Sequence, residues 1–288
     1  MSEVREIHPL VKENILSIYQ SFATICDKYN LKHWLGFGSM LGAVRHHGFI
    51  PWDDDFDVLM LREDYEKFLS IADKELPSYF KLVSHRNCSV YPMIFSKIQE
   101  SRREVYESIE NQSVYVSPTG MYIDIFPLDG MPSTSFGKFI DLCRYGVVYC
   151  RKLHLFRKSH SLLFGYIADF LGILLAPLFI NKKTPNDFAF ILDQMAKRYP
   201  TSNTQNVRIA SLENRFQRKE YCFPREVFDD TEIITFENLK VPVPKNWDIV
   251  LRNLYGDSYM TPPPLEKRVS EHSKSPKAPW YYGPNVEN

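Results

Sequence analysis

The stretch from Gly38 to Met60, GSMLGAVRHHGFIPWDDDFDVLM, holds four aspartates within five residues, Asp53, Asp54, Asp55 and Asp57, beside Phe56, Val58, Leu59 and Met60. Carboxylates crowded against apolar side chains are costly unless a cation neutralises them. In an extended chain side chains alternate faces, so Asp53, Asp55 and Asp57 share one side while Asp54, Phe56 and Val58 take the other. Asp55 and Asp57, two positions apart, offer the oxygen donors that suit one or two hard divalent ions, Mg²⁺ or Mn²⁺. Water and a substrate phosphate usually complete the coordination of such ions. The Gly38-Ser39 turn supplies a place for that phosphate, because N–H groups at a helix start favour anions and a glycine lets the anion come close. Arg45, further along the same helix, can reach the same phosphates. Metal on one side and helix start on the other would clamp a nucleotide diphosphate.

These residues need elements to hold them. Leu10, Val11, Ile15, Ile18, Phe22 and Ile25 recur at helical spacing and predict a helix from Leu10 to Tyr29. A strand from His33 to Phe37 follows, and Ser39 is expected to cap a helix over MLGAVR. The aspartate strand comes next, then a helix with Tyr65, Phe68, Leu69, Ala72 and Leu76 on one face and Pro77 after it. YFKLVSH, YPMIFSKIQ and MYIDIFPLDG read as three more strands rich in aromatic and branched residues. The expected fold class is α+β: a mixed sheet with flanking helices, complete by Gly130, followed by a mainly helical second half. Residues 1–130 are the expected catalytic core. Residues 131–288 are expected to pack on it and to carry acceptor and membrane-surface contacts, with a small strand or two and a helix near Asp248 to Tyr255.

A hydrophobic-Gly-Ser turn after a first strand, an Asp-Phe-Asp-Val unit shortly after it and a third acid on a later strand form the pattern of the nucleotidyltransferase (polymerase-beta-like) fold. Asp124 in YIDIFPLDG, between Ile123 and Ile125, is the candidate for that third acid. The likeness extends to a family: GSMLGAVRHHGFIPWDDDFDVLMLREDYEKFL, DIFPLDG and the closing LYGDSYMTPPPLEKRVSEH resemble the blocks of the LicD family, bacterial relatives of the fukutin-type transferases. The resemblance covers most of the chain and is weakest from about Met131 to Arg218. It implies an enzyme that moves a phosphate-linked alcohol, typically phosphocholine from CDP-choline, onto a sugar hydroxyl of a cell-surface glycan or lipid-linked oligosaccharide, releasing CMP. On that reading Asp55 and Asp57 hold the metal, and Asp124 either completes the metal site or accepts the proton of the attacking hydroxyl. Gly38, Ser39 and Arg45 hold the donor phosphates. Lys267 and Arg268, in the closing block, are expected to contact substrate. Ser39 departs from the threonine that many family members carry, and the zinc-binding cysteines of some animal relatives are missing.

Other residues carry two readings each. His46 and His47 meet phosphate or occupy a surface turn, Trp52 stacks on a base or packs behind the strand, and Lys97 meets a phosphate or is a solvated edge lysine. At the level of function, two alternatives stand beside phosphoalcohol transfer: attachment of a nucleotide to a small molecule or protein, and a catalytically inactive glycan-binding scaffold. Clustered carboxylates that repel one another argue against the scaffold.

The rest of the chain bounds these readings. Lysine plus arginine equals aspartate plus glutamate at 35 each, which excludes the broad positive field of a protein that coats nucleic acid polymers. Five scattered cysteines with no CxxC pair point to reduced thiols, and an N-terminus without a basic-then-apolar layout points to a cytoplasmic enzyme. Arg144, Arg151, Lys152, Arg157 and Lys158 precede the apolar run Ser161 to Ile180, which contains Asp169 and Pro177. That arrangement suits a helix pair on the inner face of an anionic membrane, a buried hairpin or, less well, a span.

Overall fold

The first helix, α1 (Pro9–Tyr29), buries Ile15, Ile18, Tyr19, Phe22, Ile25 and Cys26 along one face, as its spacing predicts. It stops where Asn30 turns into the left-handed region at φ 51°. A computed structural model describes residues 9–53, 55–89, 91, 93–101, 121–156, 174, 184–209 and 219–268. After α1 come β1 (Trp34–Leu35), α2 (Phe37–His46), β2 (Asp57–Leu61), α3 (Arg62–Glu75), β3 (Phe80–Val83), β4 (Ser96–Glu100) and β5 (Tyr122–Gly130). Then follow α4 (Ser135–Phe156), α5 (Pro185–Ala196), β6 (Asn206–Ile209), β7 (Cys222–Pro224), the hairpin β8 (Thr231–Phe236) and β9 (Leu239–Pro244), and α6 (Trp247–Tyr255).

The main sheet is mixed. Its strand order is β1-β2-β5-β4-β3, with β6 on the far end of β5 and β7 beyond β6. Among the described strands only β2 and β5 run parallel, in a register that sets Asp57 beside Asp124 and Leu61 beside Leu128. One residue past that ladder, Arg62 and Asp129 meet in a buried bidentate pair, Nε to Oδ1 at 2.5 Å and Nη2 to Oδ2 at 2.9 Å. The Arg62 Nη1 also donates to Asp193 of α5 at 2.8 Å and Glu66 at 3.1 Å. Burial opposes the Arg62 charge, but Asp129 and Asp193 outweigh it and hold the guanidinium above its usual pKa. The clamp thus locks the two strands at the end opposite the Asp57–Asp124 pair.

Three expectations need correction. The strand begins at Asp57, so Asp53, Asp55 and Phe56 approach through a turn and an irregular link, and strict strand alternation does not order them. Asp54 lies outside the described residues. The sheet is not complete at Gly130: β6 and β7 extend it, burying Val207, Ile209 and Phe223, and with β8 and β9 they make the described second half mixed rather than mainly helical. Ser39 does not cap α2, whose N-cap is Gly36 with no side-chain cap. Of the apolar run Ser161 to Ile180 only Leu174 falls within the described residues, so the hairpin and membrane readings lie outside them. Among the described residues no helix is long and apolar enough to cross a membrane.

Candidate active site

The start of α2 is tied to the aspartate strand at one residue. Gly36 N donates to Asp57 O at 2.9 Å, and Asp57 N donates to the Ser39 hydroxyl at 2.8 Å. Ser39 therefore serves the strand instead of its own helix, because the first residue of β2 needs an acceptor for its N–H. Gly38, next to it, faces the acids: a Cβ there would stand 2.4 Å from Asp53 Oδ2 and 3.8 Å from Asp55 Oδ1. A side chain at this position would collide with the carboxylates.

Asp57, 5% exposed, is the centre of the cluster. Burial pushes its pKa well above the carboxylate range, and Asp55, Asp124 and Asp53 push it further, with Lys97 pulling the other way. Asp124 lies beside it in the parallel register and pairs with Lys97 Nζ at 3.1 Å. Lys97 is no solvated edge lysine. It sits on β4, inside the sheet, opposite Asp124 in register, with its ammonium 3.3 Å over the Tyr122 ring. Its charge offsets part of the acidic cluster.

Asp53, Asp55, Asp57 and Asp124 open into a cavity of about 720 Å³ that is also lined by Gly38, Arg45, Trp52 and Lys267. Arg45 donates from Nη1 to Tyr259 O at 2.7 Å and from Nε to His46 Nδ1 at 3.3 Å, which fixes the guanidinium at the cavity wall. Partial burial lowers its pKa, as does Arg268 nearby. Arg268 does not line the cavity. It lies 5.2 Å over the Trp52 ring and donates from Nε to Pro263 O at 2.8 Å. Trp52 thus both packs, with Arg268 on one face, and lines the site. The His46 pKa is lowered by burial first, then by Arg45 and Arg268. His47 occupies the left-handed C-cap of α2, and its carbonyl accepts from Glu237 N at 2.7 Å.

Several wall residues had no site role in the sequence reading: Asp53, Phe37, Phe95, Phe126, Tyr221, Tyr255 and Tyr259. Tyr255 and Tyr259 stand in the block LYGDSYM, so their presence near a closing motif was the available signal. Although the Tyr255 residue is 41% exposed, burial of its hydroxyl, then the charges of Asp57, Asp53 and Asp55, raise its pKa well above the phenol value.

The mixed sheet thus sets carboxylates on adjacent parallel strands, against a glycine at a helix start and two cations across a cavity. Residues 30–140 match the LicD family, described as LicD/FKTN/FKRP, nucleotidyltransferase domain, and the chain carries a LicD family domain. The match includes Gly38, Ser39, Arg45, Asp55, Asp57 and Asp124, while Lys267 and Arg268 lie beyond it. The chain is 26% identical over 263 residues to the lipopolysaccharide cholinephosphotransferase LicD of Haemophilus influenzae, covering 89% of this chain and 92% of that protein. Shorter likenesses join it to uncharacterized proteins of Rickettsia typhi, 39% over 74 residues (25% of this chain, 23% of that protein), and Rickettsia prowazekii, 46% over 52 residues (17% and 20%).

Proposed function

We propose that the protein transfers phosphocholine from CDP-choline to a sugar hydroxyl of a cell-surface glycan, releasing CMP, on a sheet of the nucleotidyltransferase type. The observation that carries this reading is the Asp57–Asp124 pair, set side by side in one cavity with Asp53, Asp55, Arg45 and Lys267. In the reaction the bond between the bridging oxygen of the diphosphate and the phosphocholine phosphorus breaks. That oxygen leaves with CMP, and the acceptor hydroxyl oxygen takes its place on phosphocholine. The hydroxyl proton passes to Asp124 or, if Asp124 binds the ion, to solvent.

The donor set fits Mg²⁺ or Mn²⁺: every candidate ligand is a carboxylate, and Asp57 is buried among three others whose charges oppose its own. Among the described residues no three of these groups close into a ready-made cage, so Asp55 and Asp57 would share the ion with substrate phosphate and water. When bound, such an ion neutralises charge developing on the departing phosphate. Arg45 and the α2 start would hold the diphosphate in line, and the Tyr259 carbonyl would keep the Arg45 fork oriented. The acceptor is read as a lipid-linked oligosaccharide at the inner face of the membrane.

Incubation of the protein with CDP-choline, CDP-ethanolamine and CDP-glycerol, with Mg²⁺ and with chelator, tests the reading. Metal-dependent release of CMP supports it. Pyrophosphate release from a nucleoside triphosphate without CMP release from any CDP-alcohol would replace it with nucleotidyl transfer, and neither release in the presence of acceptor glycan would leave a scaffold.

A further inference from the structure

Two sets of side chains stand out in the walls of the acidic cavity. One is cationic: Arg45 and Lys267, with Trp52 and Tyr259. The other is a connected run of rings. Phe95 and Phe126 stack with centroids 4.5 Å apart, Phe37 meets Phe126 edge-on at 5.0 Å, and Tyr221 lies 6.3 Å from Phe37.

The rings are placed relative to the acids by the strands themselves. Asp124 and Phe126 are two positions apart on β5, so they point to the same face about 7 Å from one another along the strand. Phe37 directly precedes Gly38, the residue that faces Asp53 and Asp55. A phosphoryl group held at Asp57 and Asp124 would therefore send a two-carbon head group onto Phe126, Phe37 and Tyr221. Phe95 stands behind them, with the Lys97 ammonium already 5.9 Å over its ring.

The backbone at Phe37 gives an independent sign. Its φ is 40°, in the left-handed region, which a bulky aromatic residue rarely adopts. Between Gly36 and Gly38, a third glycine would take this conformation without strain. Strain of this kind persists where the surroundings over-determine it, and it clusters at ligand sites. What Phe37 adds over glycine is a ring in the cavity.

We propose that Phe37, Phe126 and Tyr221 form the seat for a quaternary ammonium head group on the donor and select it over a primary ammonium or a neutral polyol. A quaternary ammonium donates no hydrogen bonds, so carboxylates alone hold it poorly, whereas ring faces attract it through their quadrupoles. A primary ammonium keeps three N–H donors that ring faces do not satisfy, and glycerol carries no charge to attract. This inference rests on the phosphoalcohol-transfer reading and names its head group from the wall of the site.

Calorimetric titration of CDP-choline, CDP-ethanolamine and CDP-glycerol, with Mg²⁺, into the full chain and into Phe37→Leu and Tyr221→Leu tests it without turnover. The wild type is expected to bind CDP-choline at least about tenfold more tightly than CDP-glycerol, and each leucine variant to narrow that ratio about threefold to tenfold. Leucine keeps apolar bulk but has no ring face. Tyr221, at the partly exposed rim, decides the question alone if Phe37→Leu does not fold, and CDP-glycerol binding by the same sample reports an intact pocket. Equal affinities in the wild type, or an unchanged ratio in Tyr221→Leu, overturn the proposal. CDP-choline that is bound and consumed without preference sinks the head-group seat alone. If no CDP-alcohol binds or releases CMP, the transfer reading falls and this one with it.

Discussion

Asp129→Asn should unfold the protein at markedly lower temperature without touching the cavity. Asp129 is 0% exposed and gives both carboxylate oxygens to Arg62, so no water stands ready to replace them. The amide would keep one acceptor but turn two N–H donors towards a guanidinium that also only donates. Breaking one side of a buried ion pair costs about 3–5 kcal/mol, and Asp193 and Glu66 remain to hold part of the Arg62 charge, which favours the lower end. At roughly 2–4 °C per kcal/mol for a chain of this size, the thermal midpoint should fall by about 6–12 °C. Differential scanning calorimetry of the metal-free protein measures it. A double variant, Arg62→Met with Asp129→Leu, should recover part of the loss, because the pair itself then carries no buried charge and Asp193 keeps Arg86 and Lys197 as partners. A fall below about 1 kcal/mol in Asp129→Asn would show that Asp193 and Glu66 suffice for Arg62 and that no clamp joins the ends of β2 and β5.

Asp57→Asn should behave in the opposite way: turnover falls at least about a hundredfold, the scale for losing a principal electrostatic contact. Because the Asp57 pKa is raised in the folded state, its charge costs stability above the ordinary carboxylate pKa, so the metal-free midpoint at pH 7 should hold or rise; a clear drop with activity kept would make Asp57 structural. Gly38→Ala should depress CMP release with little loss of midpoint, since the flexible Asp53 carboxylate can move from the new methyl. Gly42→Ala, whose Cβ would meet the Gly48 carbonyl at 2.4 Å, should instead destabilise the fold, and equal effects from the two would refute the distinction. Burial would raise the Asp193 pKa, but His85, 3.4 Å away, and then Arg62 and Arg86 hold it well below the usual range, so its contribution is present above that range and lost as pH falls. Below about pH 4 the wild type should therefore lose stability more steeply than Asp193→Asn, by up to about 1.4 kcal/mol per pH unit, and parallel denaturation curves would count against it.

What was legible in the chain is what short spacing controls. Asp55, Asp57, Gly38 and Arg45 lie within twenty residues, and the helices α1 and α3 announce themselves by one apolar face each. Asp124 was found because Ile123 and Ile125 mark a strand around it, but nothing local says that this strand runs parallel to β2 with Asp124 opposite Asp57. That register depends on partners such as Asp129, 67 residues from Arg62. The same limit explains the misreadings. Ser39 has the residue type and place of a cap, yet the N–H it serves belongs to Asp57, 18 residues on. Lys97 reads equally as a phosphate contact or an edge lysine until β5 is laid against β4 and supplies its carboxylate. The short strands β6 and β7 give too few residues for alternation to show, and become strands only because β5 runs past β4 and leaves its last residues unpaired on that side. Tyr221 carries no local signal at all, since its part in the site arises from the ring of Phe37, a neighbour in space that is distant in sequence. The acids that define the chemistry are thus written close together, while the groups that position them and shape what they receive come from segments that only the sheet brings near.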